Sequence, residues 1–157
     1  MLAADRRSAS VVEYRGNLNL LSAAEEVGVS RFVYSFALFV DHPLAQRVST
    51  FYEKWRVEEV LLRAKSVAST ILRPAMFMQT LLIALRDPFA FISDPQRRAI
   101  SWISASDVAL AATRAFERGI TSRHGLAGPD RETFDSAYGR PRGFRAARSR
   151  SSTLRWL

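Results

Sequence analysis

The fold class is decided by two short stretches, Arg31-Phe-Val-Tyr-Ser-Phe-Ala-Leu38 and Ala68-Ser-Thr-Ile-Leu-Arg73. Both stretches are rich in β-branched and aromatic residues, and neither shows the polar–apolar alternation of a half-exposed strand. Strands of this kind lie in parallel sheets that helices cover on both faces. The sequence therefore predicts two neighbouring parallel strands inside an α/β domain.

The segments around these strands predict helices. Ser10 and Glu13 have the spacing of a capping box, and Gly28 stands where a left-handed residue would end the helix. Apolar residues recur at helical spacing between them, at Val11, Tyr14, Leu18, Leu21 and Ala24. A second helix is predicted over about residues 44–64, with inward positions at Trp55, Val57, Val60, Leu61 and Ala64. It completes a βαβ unit, which predicts half of a doubly wound parallel sheet with flanking helices.

The pattern continues to about residue 137. Apolar spacing predicts a helix over Met78, Leu81, Leu82 and Leu85, and residues 87–96 have the composition of a loop. A capped helix is predicted from Ser104 to Gly119, with Val108, Ala112, Ala115 and Phe116 inward. Gly125–Pro129 is predicted to form a short strand and turn. We therefore expect one α/β domain over residues 1–137.

The net charge of +8 comes mainly from the end of the chain. Residues 1–137 hold 17 basic and 15 acidic side chains, whereas residues 138–157 add arginines and no acid. This Arg/Ser/Gly-rich tail has no apolar period, so we expect a disordered segment or the product of an altered reading frame. Clustered arginines also bind nucleic-acid phosphates, but the absence of an aromatic-rich basic face disfavours that alternative.

Several kinds of chemistry are excluded by composition and motif. The chain has no cysteine, which excludes disulfides and thiolate metal sites. It also contains no Walker loop, no nucleophile elbow, no zinc-protease motif and no G-x-G-x-x-G turn. His42 and His124 lie far apart without further ligands at metal spacing, so we expect no metal site. The sequence shows neither a signal peptide nor a membrane span, which predicts a cytoplasmic protein with no membrane partner.

Candidate ligand-binding residues cluster where the parallel strands should end, since ligands of open α/β sheets bind at that edge. Ser35 and Phe36 lie near the end of the first predicted strand, and Arg73-Pro74-Ala75 ends the second. Lys54 on the intervening helix could donate to ribose hydroxyls. The alternative is that Lys54 is an ordinary solvated helix lysine.

At these positions the chain resembles atypical and extended short-chain dehydrogenases/reductases, especially the NmrA-like group. The resemblance begins with Gly16-Asn-Leu-Asn-Leu-Leu-Ser-Ala-Ala24 and Gly28-Val-Ser-Arg-Phe-Val-Tyr34, which are similar to a helix and strand of that family. Lys54 with Glu58, followed by Thr70-Ile-Leu-Arg-Pro74 and Phe77-Met78, is similar to its "K...E" helix and "TILRP..FM" strand end. Ser106-Asp-Val-Ala109, Gly125-Leu-Ala-Gly-Pro129 and Thr133-Phe134 resemble later landmarks. The resemblance covers about residues 10–137.

The resemblance implies a Rossmann-like fold and a set of NAD(P) contacts. In the family, the lysine contacts the nicotinamide ribose, and the segment after the "RP" strand lines the nicotinamide pocket. The cofactor-binding residues implied here lie at or near the strand ends and are Ser35, Phe36, Lys54, Arg73, Pro74, Ala75 and Phe77. For Arg73, a buried structural ion pair is an equally strong alternative to ligand contact.

The sequence departs from the family's catalytic pattern. Active reductases place a tyrosine four residues before the lysine, and Thr50 stands there. Tyr52 would point about 200° around the helix from Lys54 and cannot replace it. Phe36 stands at the position of the strand-end serine, which leaves Ser35 on the opposite side of the strand. We therefore assign no catalytic residue.

The resemblance also implies a missing region. In the family, about three strands and a glycine-rich turn precede the position of Met1, and that turn binds the cofactor's pyrophosphate at a helix N-terminus. We therefore expect a truncated form, the C-terminal portion of the doubly wound sheet, with weak or absent NAD(P) binding. The leading hypothesis is an NmrA-like NAD(P)-binding oxidoreductase-type protein that acts, if completed, on an unknown small molecule. The alternatives are a non-catalytic dinucleotide sensor that regulates a protein partner, or an inactive fragment.

Overall fold

The computed structural model describes residues 10–80, 99–133, 136 and 155–156. The chain divides into two compact units. The first contains Met1–Arg73 and Arg114–His124, and the second contains Pro74–Thr113 and Gly125–Leu157. Most of the helix predicted around Met78 to Leu85 lies outside the described residues, as does the predicted loop 87–96.

The first unit follows the predicted order of helix, strand, helix and strand. Its elements are a π-helical segment Ser10–Arg15, helix α1 Gly16–Glu26, strand β1 Arg31–Ser35, a 3-10 turn Ala45–Arg47, helix α2 Ser49–Arg63 and strand β2 Ala68–Pro74. Gly28 ends α1 with a φ of 74°, a left-handed conformation that glycine adopts without steric cost. The predicted glycine cap is therefore confirmed.

Strands β1 and β2 are parallel and in register from Arg31 opposite Ala68 to Ser35 opposite Leu72. The prediction that these two stretches pair in one parallel sheet is confirmed. β1 ends earlier than predicted, because turns begin soon after Ser35. The backbone contact continues for one more residue, since the Phe36 amide donates to the Leu72 carbonyl at 3.0 Å.

The core of the first unit lies between the two strands and the two helices. It is formed by Leu21, Tyr34, Val57, Leu61, Val67 and Ile71. Tyr34 and Ile71 are register partners and point to the same face of the sheet. Phe32 and Val33 belong to the strand that the sequence predicts to be covered on both faces, but they are only half-buried. Val11 is exposed although its spacing predicts an inward position.

Strand β5 is Ser122–Ala127, and strand β7 is Arg155–Trp156. With β1 and β2 they form a four-stranded sheet of order β1-β2-β5-β7, in which β1, β2 and β5 form a parallel part. The backbone of β7 pairs antiparallel with Leu126 and Ala127 in the second unit. Two residues of the basic tail therefore belong to a sheet, while the rest of the tail lies outside the described residues.

The second unit also contains a three-stranded sheet of order β3-β4-β6. Its strands are β3 Met76–Phe77, β4 Ile100–Ile103 and β6 Arg131–Glu132. β4 pairs parallel with β3 and antiparallel with β6. At the centre of this unit, Gly128 approaches β4 so closely that an added Cβ would lie 1.8 Å from the Trp102 carbonyl oxygen.

Helix α3, Ala105–Arg118, begins as the sequence predicts. The Ser104 hydroxyl accepts a hydrogen bond from the Asp107 amide at 3.0 Å, which is the predicted cap. Gly119 follows the helix with a φ of 62°. The inward prediction holds for Val108 and Ala115, but Phe116 is 50% exposed.

Candidate functional site

The candidate site of the first unit lies where β1 and β2 end, at the edge where parallel sheets bind ligands. Ser35 is the exposed last residue of β1. Phe36 follows it and is fixed by its backbone bond to Leu72. Its ring contacts Phe51 of α2 edge to face, with the two ring centroids 5.1 Å apart. The start of α2 is therefore packed onto the end of β1.

Lys54 extends from α2 toward this strand end. Its Nζ atom lies 2.7 Å from Oε2 of Glu13 and 4.7 Å from the centroid of the Phe36 ring. The Lys54 side chain is 20% exposed and that of Glu13 is 26% exposed. The ammonium group is thus partly desolvated, with a carboxylate on one side and an aromatic face on another. Of the residues that the sequence proposes for the cofactor, the structure brings Phe36 and Lys54 into contact.

Glu13 lies in the π-helix Ser10–Arg15 that precedes α1, where the sequence predicts a regular helix start. The residue that precedes α1 is Arg15, and it makes no side-chain cap bond. Glu13 pairs with Lys54 instead of acting only as part of a capping box. The next residue, Tyr14, lies under the guanidinium of Arg56, whose Cζ is 3.7 Å from the ring centroid. Two adjacent contacts therefore attach the π-helical segment to α2.

Arg73 lies at the end of β2 and binds two carboxylates. Its Nη2 and Nε atoms lie 2.7 Å and 3.1 Å from Oε2 of Glu58, and its Nη1 donates to Asp41 at 2.8 Å. Burial opposes the charge of Arg73, but its bonds to Glu58 and Asp41 outweigh that effect and raise its pKa. The hydrogen bond from Arg73 also lowers the pKa of Asp41. This geometry favours the structural alternative for Arg73, and cofactor contact by this residue stays a prediction.

Glu58 is fully buried in the middle of α2, a position that helical spacing alone would assign to an apolar residue. A second arginine balances it, since Nε of Arg123 lies 3.4 Å from Oε2 of Glu58. Arg123 also pairs with Glu59. The sequence signal for this cluster is the resemblance itself, which includes both Glu58 and Arg73 without assigning a contact between them. The contact with Arg123 has no counterpart in the sequence pattern.

Neither Tyr34 nor Tyr52 is placed to donate a proton beside Lys54 as the family's tyrosine would. The hydroxyl of Tyr34 is buried and has no hydrogen-bond partner among the described residues, and burial, Glu58 and Glu13 raise the pKa of this phenol. Tyr52 is 41% exposed and packs near Trp55 at a centroid distance of 6.0 Å. Thr50 remains the residue four positions before Lys54. A raised pKa opposes formation of a phenolate, so Tyr34 is a poor substitute for the family's tyrosine.

Three of the proposed cofactor-binding residues belong to the second unit. Pro74 is fully buried, and the Ala75 amide donates to the Leu126 carbonyl at 2.8 Å. Phe77 is half-buried in β3 and pairs with Ile103 of β4. Their proposed contact with the nicotinamide stays a prediction. In the described parts of both units, no three acidic or histidine side chains are grouped as metal ligands, and no helix is long and apolar enough to cross a membrane.

The order of these elements matches a known family. The profile described as the NmrA-like family matches residues 8–127, which is most of the chain. The chain belongs to the NmrA-like family. Among curated proteins no sequence matches the chain.

Solved structures show the same fold as this NmrA-like chain. UDP-N-acetylglucosamine 4-epimerase from Methanobrevibacter ruminantium M1, in complex with UDP-N-acetylmuramic acid, superposes with a TM-score of 0.65 at 12% identity, covering 83% of this chain and 51% of that one. UDP-N-acetylglucosamine 4-epimerase from Bacillus cereus gives 0.62 at 16% identity, with coverages of 78% and 51%. RMD from Pseudomonas aeruginosa, complexed with NADPH, gives 0.63 at 15% identity, with coverages of 83% and 56%.

The likeness to these structures identifies a Rossmann-like fold. The chain spans about half the length of the solved structures that it matches. The expected fold class and family are therefore confirmed. At these low identities the likeness shows a shared fold only. The ligands bound by those proteins are not assigned to this chain.

Proposed function

We propose that this chain supplies the nicotinamide-ribose side of an NAD(P) site in an NmrA-like oxidoreductase-type protein. The observation that carries the proposal is the partly exposed ammonium of Lys54 beside Phe36 at the end of β1. An ammonium has three N–H donors, and Glu13 takes one of them. Lys54 therefore retains donors for a ribose hydroxyl, and the Phe36 ring offers an apolar wall beside it.

In this proposal the protein binds and orients the cofactor. The chemistry that a bound nicotinamide supplies is hydride transfer. Lys54 would hold the ribose at the strand end, while Ser35 and Phe36 would line the same edge. Arg73 would act indirectly, because its bonds to Glu58 and Asp41 fix the end of β2.

The affinity expected for this chain is low. The sequence contains no glycine-rich turn to bind a pyrophosphate. Each charge-assisted bond of that turn contributes about 1.5–3 kcal/mol, so the absence of three weakens binding at least about a thousandfold. We expect millimolar affinity for NADPH at best, without saturable binding at micromolar concentrations. The test must therefore use a method suited to weak ligands.

Saturation-transfer NMR with millimolar NADPH tests the proposal. We expect transfer to the ribose protons next to the nicotinamide, and we expect Lys54→Ala to weaken the affinity about tenfold, as for loss of a hydrogen bond to a charged group. Lys65, the only other lysine, is exposed and makes no ion pair with the described residues, so Lys65→Ala is the matched control. Equal transfer in wild type and Lys54→Ala would overturn the assignment of Lys54.

A second candidate function is a non-catalytic dinucleotide sensor that regulates a protein partner. It is favoured by Thr50 at the tyrosine position and by the raised pKa of Tyr34, which leave no suitable phenol among the described residues near Lys54. If the chain is such a sensor, we expect it to bind NADPH but not to oxidise NADPH in the presence of aldehydes, ketones or quinones. Steady oxidation that Lys54→Ala abolishes would instead identify a reductase.

A further inference from the structure

Glu13 and Lys54 form a donor–acceptor pair at the end of β1. One carboxylate oxygen of Glu13 lies 2.7 Å from the Lys54 nitrogen, and the Phe36 ring covers another side of that nitrogen at 4.7 Å. Both side chains keep about a fifth to a quarter of their surface exposed, at 20% for Lys54 and 26% for Glu13. A ligand that reaches the ammonium therefore also meets the carboxylate.

The pair has no net charge, which determines what it can bind. A hydroxyl group both donates and accepts, so it can accept from Lys54 and donate to Glu13 at once. A phosphate accepts from Lys54 but is repelled by the adjacent carboxylate. We propose that Glu13 makes Lys54 a site for a sugar hydroxyl and excludes anionic groups from it. This inference rests on the proposed function, because it concerns the ligand of the same lysine.

Contacts on the neighbouring residues hold Glu13 in place. Tyr14 packs under Arg56, and Arg56 is itself paired with Glu53 at 2.8 Å. The charge of Arg56 is thus balanced locally by a different carboxylate. Glu13 is therefore a positioning and specificity-determining residue that acts on ligands through Lys54, held by a π-helical segment of the kind that is frequent at functional sites.

The composition of the chain allows a direct test. Lys54 and Lys65 are its only lysines, so acylation of Lys54 can be measured by mass spectrometry relative to Lys65 in the same molecule. The probe is inorganic phosphate, added to the full chain before brief acetic anhydride labelling. In Glu13→Gln we expect phosphate to protect Lys54 at concentrations about tenfold lower than in wild type, as for removal of about 1.4 kcal/mol of repulsion. Glu13→Asp should return the phosphate concentration needed for protection toward that of wild type, because it restores the negative charge.

Glu26→Gln is the matched control, since Glu26 is an exposed acid at the end of α1 without an ion pair to Lys54. It should respond to phosphate as wild type does. Phosphate protection that is equal in wild type and Glu13→Gln, or a Glu13→Asp variant that behaves like Glu13→Gln, would overturn the inference. The test contains no dinucleotide, so its outcome is separate from that of the NADPH experiment. Failure of NADPH to bind would reject the proposed function while the phosphate result still decides the role of Glu13.

Discussion

Arg73 binds the fully buried carboxylate of Glu58 through two nitrogens, with Nη2 at 2.7 Å and Nε at 3.1 Å from Oε2. This pair joins the end of β2 to the middle of α2. Taking a carboxylate out of water costs several kcal/mol, and only close partners offset that cost. Arg73 and Arg123 together provide them. The pair therefore fixes how α2 lies on the sheet of the first unit.

Replacing Glu58 by Ala should strongly destabilise the first unit. The substitution leaves Arg73 buried beside a cavity without its main partner, and breaking a buried pair in this way typically costs about 3–5 kcal/mol. We expect a decrease of that size in the free energy of unfolding, measured by urea denaturation. Glu59→Ala is the control, because Glu59 is more exposed at 27% and should cost at most about 1 kcal/mol. Equal effects of the two variants would contradict the assignment.

The Asp41–Arg73 pair predicts a dependence of stability on acid pH. The bond from Arg73 lowers the pKa of Asp41, so this contribution is present above the ordinary aspartate pKa of about 3.9 and is lost as the pH falls through the lower folded value. Because Asp41 is 56% exposed, the contribution is at most about 1 kcal/mol. Asp41→Asn should be less stable than wild type at pH 7, and this difference should shrink as the pH falls below about 3.9. A stability difference that stays constant over this range would argue against the prediction.

Tyr34→Phe should leave the free energy of unfolding unchanged or raise it by up to about 1 kcal/mol, because the hydroxyl is buried with no hydrogen-bond partner in the part of the chain that the structure describes. The raised pKa of Tyr34 means that the folded state keeps a proton that the unfolded state loses above about pH 10. Wild-type stability should therefore decline above that pH, and it should decline less in Tyr34→Phe. Chemical denaturation at pH 7 and pH 11 measures both effects. A large loss of stability at pH 7 would reveal a hydrogen bond of this hydroxyl.

Gly128→Ala should disrupt the second unit. The new Cβ would lie 1.8 Å from the Trp102 carbonyl oxygen, a backbone atom that cannot move without displacing β4. Gly16→Ala is the control, because Gly16 begins α1 and the nearest atom to its added Cβ is 3.8 Å away. That change should stabilise by about 0.5–1 kcal/mol. Thermal melting followed through Trp fluorescence compares the two, and a Gly128→Ala protein as stable as wild type would exclude the close approach.

The arrangement of strands in the first unit could be predicted from the sequence because it depends on local pattern. Non-alternating apolar runs indicate strands that are covered on both faces. A helix of suitable length between two such strands predicts that they are parallel, joined by a crossover connection. The caps at Gly28 and Ser104 were also predictable, since each depends on a few adjacent residues. Lys54 and Phe36 could be identified as neighbours of the strand end through their position relative to the predicted elements and the family resemblance.

The charged contacts depended on tertiary structure. Glu13 has the spacing of a helix cap, but it lies in a π-helical segment and pairs with Lys54, a residue far away in the sequence. Glu58 lies on the buried face of α2, where periodicity predicts an apolar side chain, and it is stable there only because two distant arginines reach it. Local periodicity determines which residues form helices and strands, whereas the partner of a charged side chain depends on which segments the folded chain brings within a few ångströms. The sequence by itself therefore determined the family, the fold class and the parallel pairing of the first two strands, and only the tertiary structure decided the partners of Lys54 and Arg73.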